Sequence, residues 1–147
     1  MATYNYENLG PERFQHLCQA LLAQVFPRVT CMPVGMADGG RDAVVSNRGA
    51  DTLVLQVKFR RRTPLADATM SDMLAWLQQA IEPELPKLKK LISKGMKNYI
   101  ILTNATSSSH PDKGTRDKML AWLVERIPVE VDVWWRDDID RRLVLQG

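Results

Sequence analysis

The sequence predicts an α/β domain in which helices flank a mixed central β-sheet. Short apolar runs rich in β-branched residues alternate with segments of helical apolar spacing, the order from which layered sheet-and-helix folds are built. At 147 residues the chain suits one domain, long enough to bury a core without staples. Apolar residues make up 45% and charged residues 25%, an ordinary balance for a water-soluble fold.

The first helix opens at Gly10-Pro11-Glu12, with proline at a position where its missing N–H costs nothing. Phe14, Leu17, Cys18, Leu21, Leu22 and Val25 then form one apolar stripe, and Pro27 ends it. Residues 29–34 read as a short strand, 35–40 as a tight connection and 41–47 as a second strand. Residues 48–51 (Arg-Gly-Ala-Asp) read as a hairpin turn into the clearest strand, 52–59. A helix is expected over 71–80, capped by Ser71 or Asp72, with Pro83 and Pro86 interrupting before a second helical stretch over 86–94. Tyr99 to Thr103 is a short apolar strand of the kind buried on both faces. A polar loop over 104–114 leads to a helix over 115–126, a final strand over 129–135 and a helix beginning at Asp137. There is no internal repeat and no long linker. The end of the chain stops mid-pattern, so residues 1–147 are expected to be one domain at the N-terminal side of a longer protein.

No run of eighteen apolar residues exists, and the first residues lack the basic and apolar parts of a signal peptide. No membrane partner is therefore expected. Cys18 and Cys31 have neither metal-binding nor redox spacing, and the expected compartment is the cytoplasm. Net charge is only +3, but its distribution is uneven. Lys58, Arg60, Arg61 and Arg62 form one basic cluster, and Lys87, Lys89, Lys90, Lys94 and Lys97 form a second. Such clusters bind phosphate backbones through counterion release, and Arg41 with Arg60, Arg61 and Arg62 are the candidate nucleic-acid contacts. For the lysine cluster, a plain solvated face explains the residues as well.

Strand alternation puts Val54, Gln56 and Lys58 on one face and Leu55, Val57 and Phe59 on the other. Burying an amide or an ammonium without a partner is costly, so Gln56 and Lys58 should line a polar cleft at the strand's end. Asp42 lies on the preceding strand beside Gly39 and Gly40, whose missing side chains let a ligand or another backbone come close. A hairpin brings Asp42 near both. The Asp42 carboxylate, the Gln56 amide oxygen and the Val57 backbone carbonyl are hard donors, and Mg²⁺ prefers a few of these plus waters and a substrate phosphate. Such a cation acidifies a bound water, while Lys58 can orient that water or stabilise a pentacovalent transition state.

The string Asp38-Gly39-Gly40-Arg41-Asp42-Ala43, followed by Leu55-Gln56-Val57-Lys58, resembles the core of the PD-(D/E)XK nucleases in their Mrr-like form. The resemblance extends to the opening of the first helix, residues 9–15, and in layout to residues 99–104. It implies a restriction-endonuclease-like core and an endonuclease that hydrolyses the phosphodiesters of double-stranded DNA with Mg²⁺, or with Mn²⁺ in its place. Asp42 matches the metal-binding acid, Gln56 the second ligand and Lys58 the catalytic lysine, while Asp38 matches a structural position at the Gly-Gly turn. Such nucleases usually draw a further acid from the first helix. Glu12 has the chemistry but lies away from the apolar stripe, whereas Gln15 borders it, and the choice stays open. The resemblance further implies a homo-oligomer, dimer or tetramer, when active. It also implies a role in defence against phage and an NTPase domain following the chain.

Two rivals carry different predictions. The glutamines at Gln15 and Gln56 suit a DNA-binding or assembly module that has lost catalysis, and the basic segment does not separate DNA from RNA or junction substrates. Trp134 and Trp135 are expected to cover the sheet rather than stack on bases, and His110 to be a loop residue.

Overall fold

The computed structural model describes residues 5–35, 40–61, 70–107 and 114–146. A 3-10 turn, Tyr6–Asn8, precedes α1 (Gly10–Val25). Then follow β1 (Val29–Cys31), β2 (Ala43–Asn47), β3 (Ala50–Lys58) and α2 (Met70–Ile81). A second 3-10 turn, Glu82–Glu84, leads into α3 (Leu85–Ser93), β4 (Asn98–Thr103), α4 (Thr115–Arg126), β5 (Glu130–Trp134) and α5 (Arg136–Gln146). The five strands form one sheet in sequence order. β1, β2 and β3 pair antiparallel, and β3, β4 and β5 pair parallel, so the sheet is mixed as expected.

Period-two alternation sends each strand's side chains to opposite layers. Leu55, Leu102 and Trp134 pack with Phe14, Cys18 and Leu22 of α1 and Ile139 of α5. Val54, Ile101 and Val133 pack on the other face with Leu77, Leu88, Met119 and Leu123 from α2, α3 and α4. Trp134 and Trp135 are both buried, and Trp134 stacks on Phe26 with ring centroids 6.1 Å apart. They cover the sheet, as expected.

β1 stops at Cys31 and not at residue 34, and other ends shift by a residue or so; three differences have a local reason. β2 begins at Ala43 rather than Arg41 because the Asp42 side chain leaves the ladder. Asp42 N–H still bonds the Leu55 carbonyl (3.0 Å), but its Oδ2 accepts the Val57 N–H (2.6 Å) that a continued strand would give to a backbone carbonyl. The hairpin turn shrinks to Arg48-Gly49, both at positive φ (52° and 82°), and Ala50 and Asp51 already pair with Asn47 and Ser46. Two central residues at positive φ match the right-handed strand twist, and a longer turn is not needed. Finally, Pro83 at the start of the second 3-10 turn and Pro86 at the start of α3 each occupy a first-turn position. They set a tight corner there and not a break. Among the described residues no helix is long and apolar enough to cross a membrane.

Candidate active site

The carboxyl end of β3 is where polar groups from both layers meet. From the α1 side, Phe14 is fully buried, with ring centroids 5.5 Å from both Phe59 and Tyr6. This packing anchors the helix so that the next residue, Gln15, donates from Nε2 to Asp42 Oδ1 (2.8 Å). One turn on, Gln19 donates to the carbonyls of Met32 (2.8 Å) and Asp42 (3.1 Å), fixing the backbone where β1 ends and β2 begins. Asp42 is thereby 7% exposed, its carboxylate held between an α1 amide and the β3 backbone.

On the opposite face, Gln56 and Lys58 meet an acid that the motif does not contain. Glu84 is 7% exposed, and its Oε2 accepts from Gln56 Nε2 (2.7 Å) and Lys58 Nζ (3.2 Å). Its Oε1 accepts from Lys87 Nζ (3.2 Å). Burial alone would raise the Glu84 pKa. The ammonium of Lys58, with the hydrogen bonds from Lys58, Lys87 and Gln56, outweighs it and holds the carboxyl below the usual carboxylate range. Tyr99, on β4, donates its hydroxyl to Gln56 Oε1. The amide is thus oriented, oxygen toward the phenol and NH₂ toward Glu84. Burial, then the charges of Glu84 and Asp42, push the Tyr99 hydroxyl well above its ordinary pKa, so it remains a proton donor.

Of the two candidates on the first helix, the fold brings Gln15 to Asp42. Glu12 is exposed and lies instead beside Gly35, its Oε1 3.6 Å from where a β-carbon on that glycine would stand. Lys58 pairs with Glu84 rather than with Asp42. Val57 touches Asp42 through its N–H, not through the carbonyl expected as a metal donor. Arg41 pairs with Asp51 (2.6 Å) beside the hairpin. Arg60 is held through its backbone: its N–H donates to Asn104 Oδ1 (2.6 Å), and Asn104 Nδ2 returns a bond to its carbonyl (2.8 Å). That clamp extends the β3–β4 pairing beyond Lys58–Thr103 and steadies the strand end. Arg61 is exposed, and Arg62, Asp38, Gly39 and His110 lie outside the described residues.

Glu84, Tyr99 and Gln19 are the site residues that motif reading misses. Glu84 did leave a signal. Leu77, Ile81, Glu84 and Leu88 recur at helical spacing and are all buried, so a carboxylate occupies one position of an apolar stripe.

Among the described residues there is no group of three or more His, Cys, Asp and Glu side chains able to hold a metal. The donors on hand are two carboxylates, Asp42 and Glu84, and the Gln56 amide oxygen. A carboxylate has about four lone-pair positions, and the bonds from Gln15 and Val57 use part of those on Asp42. Such a set fits a hard cation that keeps its waters and takes phosphate oxygens, and not a closed protein cage. At Glu84 a cation would compete with two ammonium groups already in place. No family model, no curated protein and no solved structure matches the chain.

Proposed function

We propose that this chain is a Mg²⁺-dependent endonuclease acting on double-stranded DNA. The observation that supports the reading is the convergence, at one strand end, of Asp42, Gln56, Lys58 and the buried carboxylate of Glu84. In this reading Asp42 and Glu84 would hold the cation, and the lone pair of the Gln56 oxygen that Tyr99 leaves open would be the third donor. When bound, a divalent cation supplies an acidified water and offsets the charge that builds on the phosphate. Phosphodiester hydrolysis would form one P–O bond to a water oxygen and break the P–O bond to the deoxyribose oxygen, which would leave with a proton from that same water. Lys58, only 23% exposed, serves as the fixed cation that orients the water or stabilises the crowded phosphorus. Gln15 and Gln19 keep Asp42 in place, and Tyr99 keeps Gln56 turned the right way. Cutting both strands takes two such sites, so the active form in this reading is a homo-oligomer. A role as an effector in defence against phage, coupled to an NTPase domain, extends the same reading.

Relaxation and linearisation of a supercoiled plasmid in Mg²⁺ test it. Asp42→Ala and Lys58→Ala should each lower the rate by about 100-fold or more, the size seen when a transition-state contact is removed. Unchanged rates in both variants would overturn the assignment. A second reading, a binding module without catalysis, draws on two features: amides at Gln15 and Gln56, and a Glu84 already balanced by lysines. Salt-sensitive DNA binding with no cleavage by the wild-type protein selects it.

A further inference from the structure

Beside the carboxylate site lies a groove of about 350 Å³ between α3 and the β2–β3 hairpin. Among the described residues its charged lining is Arg41, Lys87, Lys90 and Lys94 against one carboxylate, Asp51. That carboxylate is already engaged by Arg41 and Ser46, so it does little to offset the lysines. Lys90 and Lys94 make no ion pair among the described residues and stand exposed. Helical spacing puts Lys87, Lys90 and Lys94 on one side of α3. At 1.5 Å of rise per residue they span about 10 Å. Phosphates on one strand of a duplex advance roughly 3.4 Å each along the axis, so the ridge covers about three of them.

The groove and the site are joined through Lys87. Its ammonium bonds Glu84, its stem lines the groove, and its Cβ would stand 3.3 Å from a β-carbon added at Gly40. Gly40, at φ 86°, therefore lets α3 close on the segment that carries Asp42. At the far end the Gly95 backbone approaches Ala50 of the hairpin just as closely, and Lys97 N–H bonds the Thr52 carbonyl (2.8 Å). Both walls are thus tied to the sheet, which fixes the backbone positions from which their charged side chains project.

We propose that this groove is the track for the sugar-phosphate backbone of a nucleic-acid duplex, with Lys87 handing the backbone on to the carboxylate site. The proposal names the substrate surface of the site described above and rests on that reading for its direction. A lipid surface fits less well: among the described residues Leu91 is the only large apolar side chain in the lining.

The test is equilibrium binding of a fluorescent 20-base-pair DNA duplex (leaving roughly three times the ridge's footprint on each side) in Ca²⁺ or EDTA, across a salt series. Wild type is compared with Lys90→Glu/Lys94→Glu and with Lys89→Glu, a lysine of α3 outside the groove lining. Circular dichroism and urea midpoints establish that each variant is folded. The double variant should bind at least about tenfold more weakly, and its log–log salt slope should fall by about two, since each lost phosphate contact removes about 0.9. Lys89→Glu should bind within about twofold of wild type, as an exposed charge off the track. Equal binding by a folded double variant and wild type overturns the groove. So does an equal or larger loss by Lys89→Glu, or a larger effect on phosphatidylserine vesicles than on the duplex. Binding that follows the prediction without any plasmid cleavage keeps the groove and removes the nuclease reading. Cleavage by wild type with unaltered binding by the folded double variant does the reverse.

Discussion

Glu84 and Asp138 are both buried acids, 7% and 6% exposed, and each is held by two basic side chains. They differ in the problem they solve. Asp138 Oδ2 accepts the Trp135 N–H (3.0 Å) at the start of α5, so the carboxylate closes the helix's first turn in the manner of a capping box. Arg116, on α4, and Arg141, one turn along α5, then pair with it and tie the two helices. Glu84 stands at the N-cap of α3, but its side chain makes no cap bond there. Its oxygens go to Gln56 and Lys58 at the end of a strand and to Lys87 at the groove. An acid with a local backbone task accounts for its own burial. One that gathers strand-end polar groups into an otherwise apolar layer points to chemistry.

Amide substitutions should split these roles. Glu84→Gln is expected to lower plasmid cleavage by about 100-fold, through loss of an anion at the cation site. Stability should change by only about 1 kcal/mol, because the amide keeps an oxygen for Lys58 and the exposed Lys87 can turn to solvent. Asp138→Asn should do the opposite. It leaves arginines facing an NH₂ group and weakens the cap, lowering the urea-derived stability by about 2 kcal/mol while the folded fraction cleaves at the wild-type rate. Equal effects of the two substitutions on rate and stability would erase the distinction.

Gln15→Glu sharpens the comparison by supplying an acid at the Asp42 contact, which Glu12 of the same helix does not reach. The new carboxylate would sit where an amide now donates to Asp42 at 2.8 Å. Without metal the two anions repel, and stability should fall by about 1 kcal/mol. With Mn²⁺ the pair becomes a better ligand set, and calorimetry should show affinity rising about tenfold. No gain in affinity would argue against Asp42 as a ligand.

The sheet's order and its two helical layers were legible because they rest on short-range patterning. Leu55 and Gln56 face opposite ways by pleat alone, and Thr115–Arg126 forms the expected helix because its apolar residues keep one period. Asp42 and the Gln56–Lys58 pair were legible as a string on adjacent strands. Glu84 was not, because 26 residues separate it from Lys58 and only the prolyl corner before α3 turns it inward. Whether Glu12 or Gln15 reaches Asp42 depended on the rotation of α1. That rotation is set by Phe14 on Phe59, a contact between distant residues. Helical spacing favours Gln15 only weakly, and its residue type argues the other way.

Tyr99 offers the smallest effect and the finest test. Its hydroxyl is buried and donates to Gln56, with no other task evident for it. Tyr99→Phe keeps the ring's packing and leaves the amide oxygen without that donor. The expected cost is about 1 kcal/mol of stability, with a fall in cleavage rate of up to about tenfold as the amide gains freedom to turn. Because the phenol acts through Gln56, its effect should shrink when Gln56 is gone. In a double-mutant cycle with Gln56→Leu, the rate effect of Tyr99→Phe should nearly vanish, a coupling of about 1 kcal/mol. An undiminished effect in that background would mean that Tyr99 serves the site by another route than orienting the amide beside Glu84.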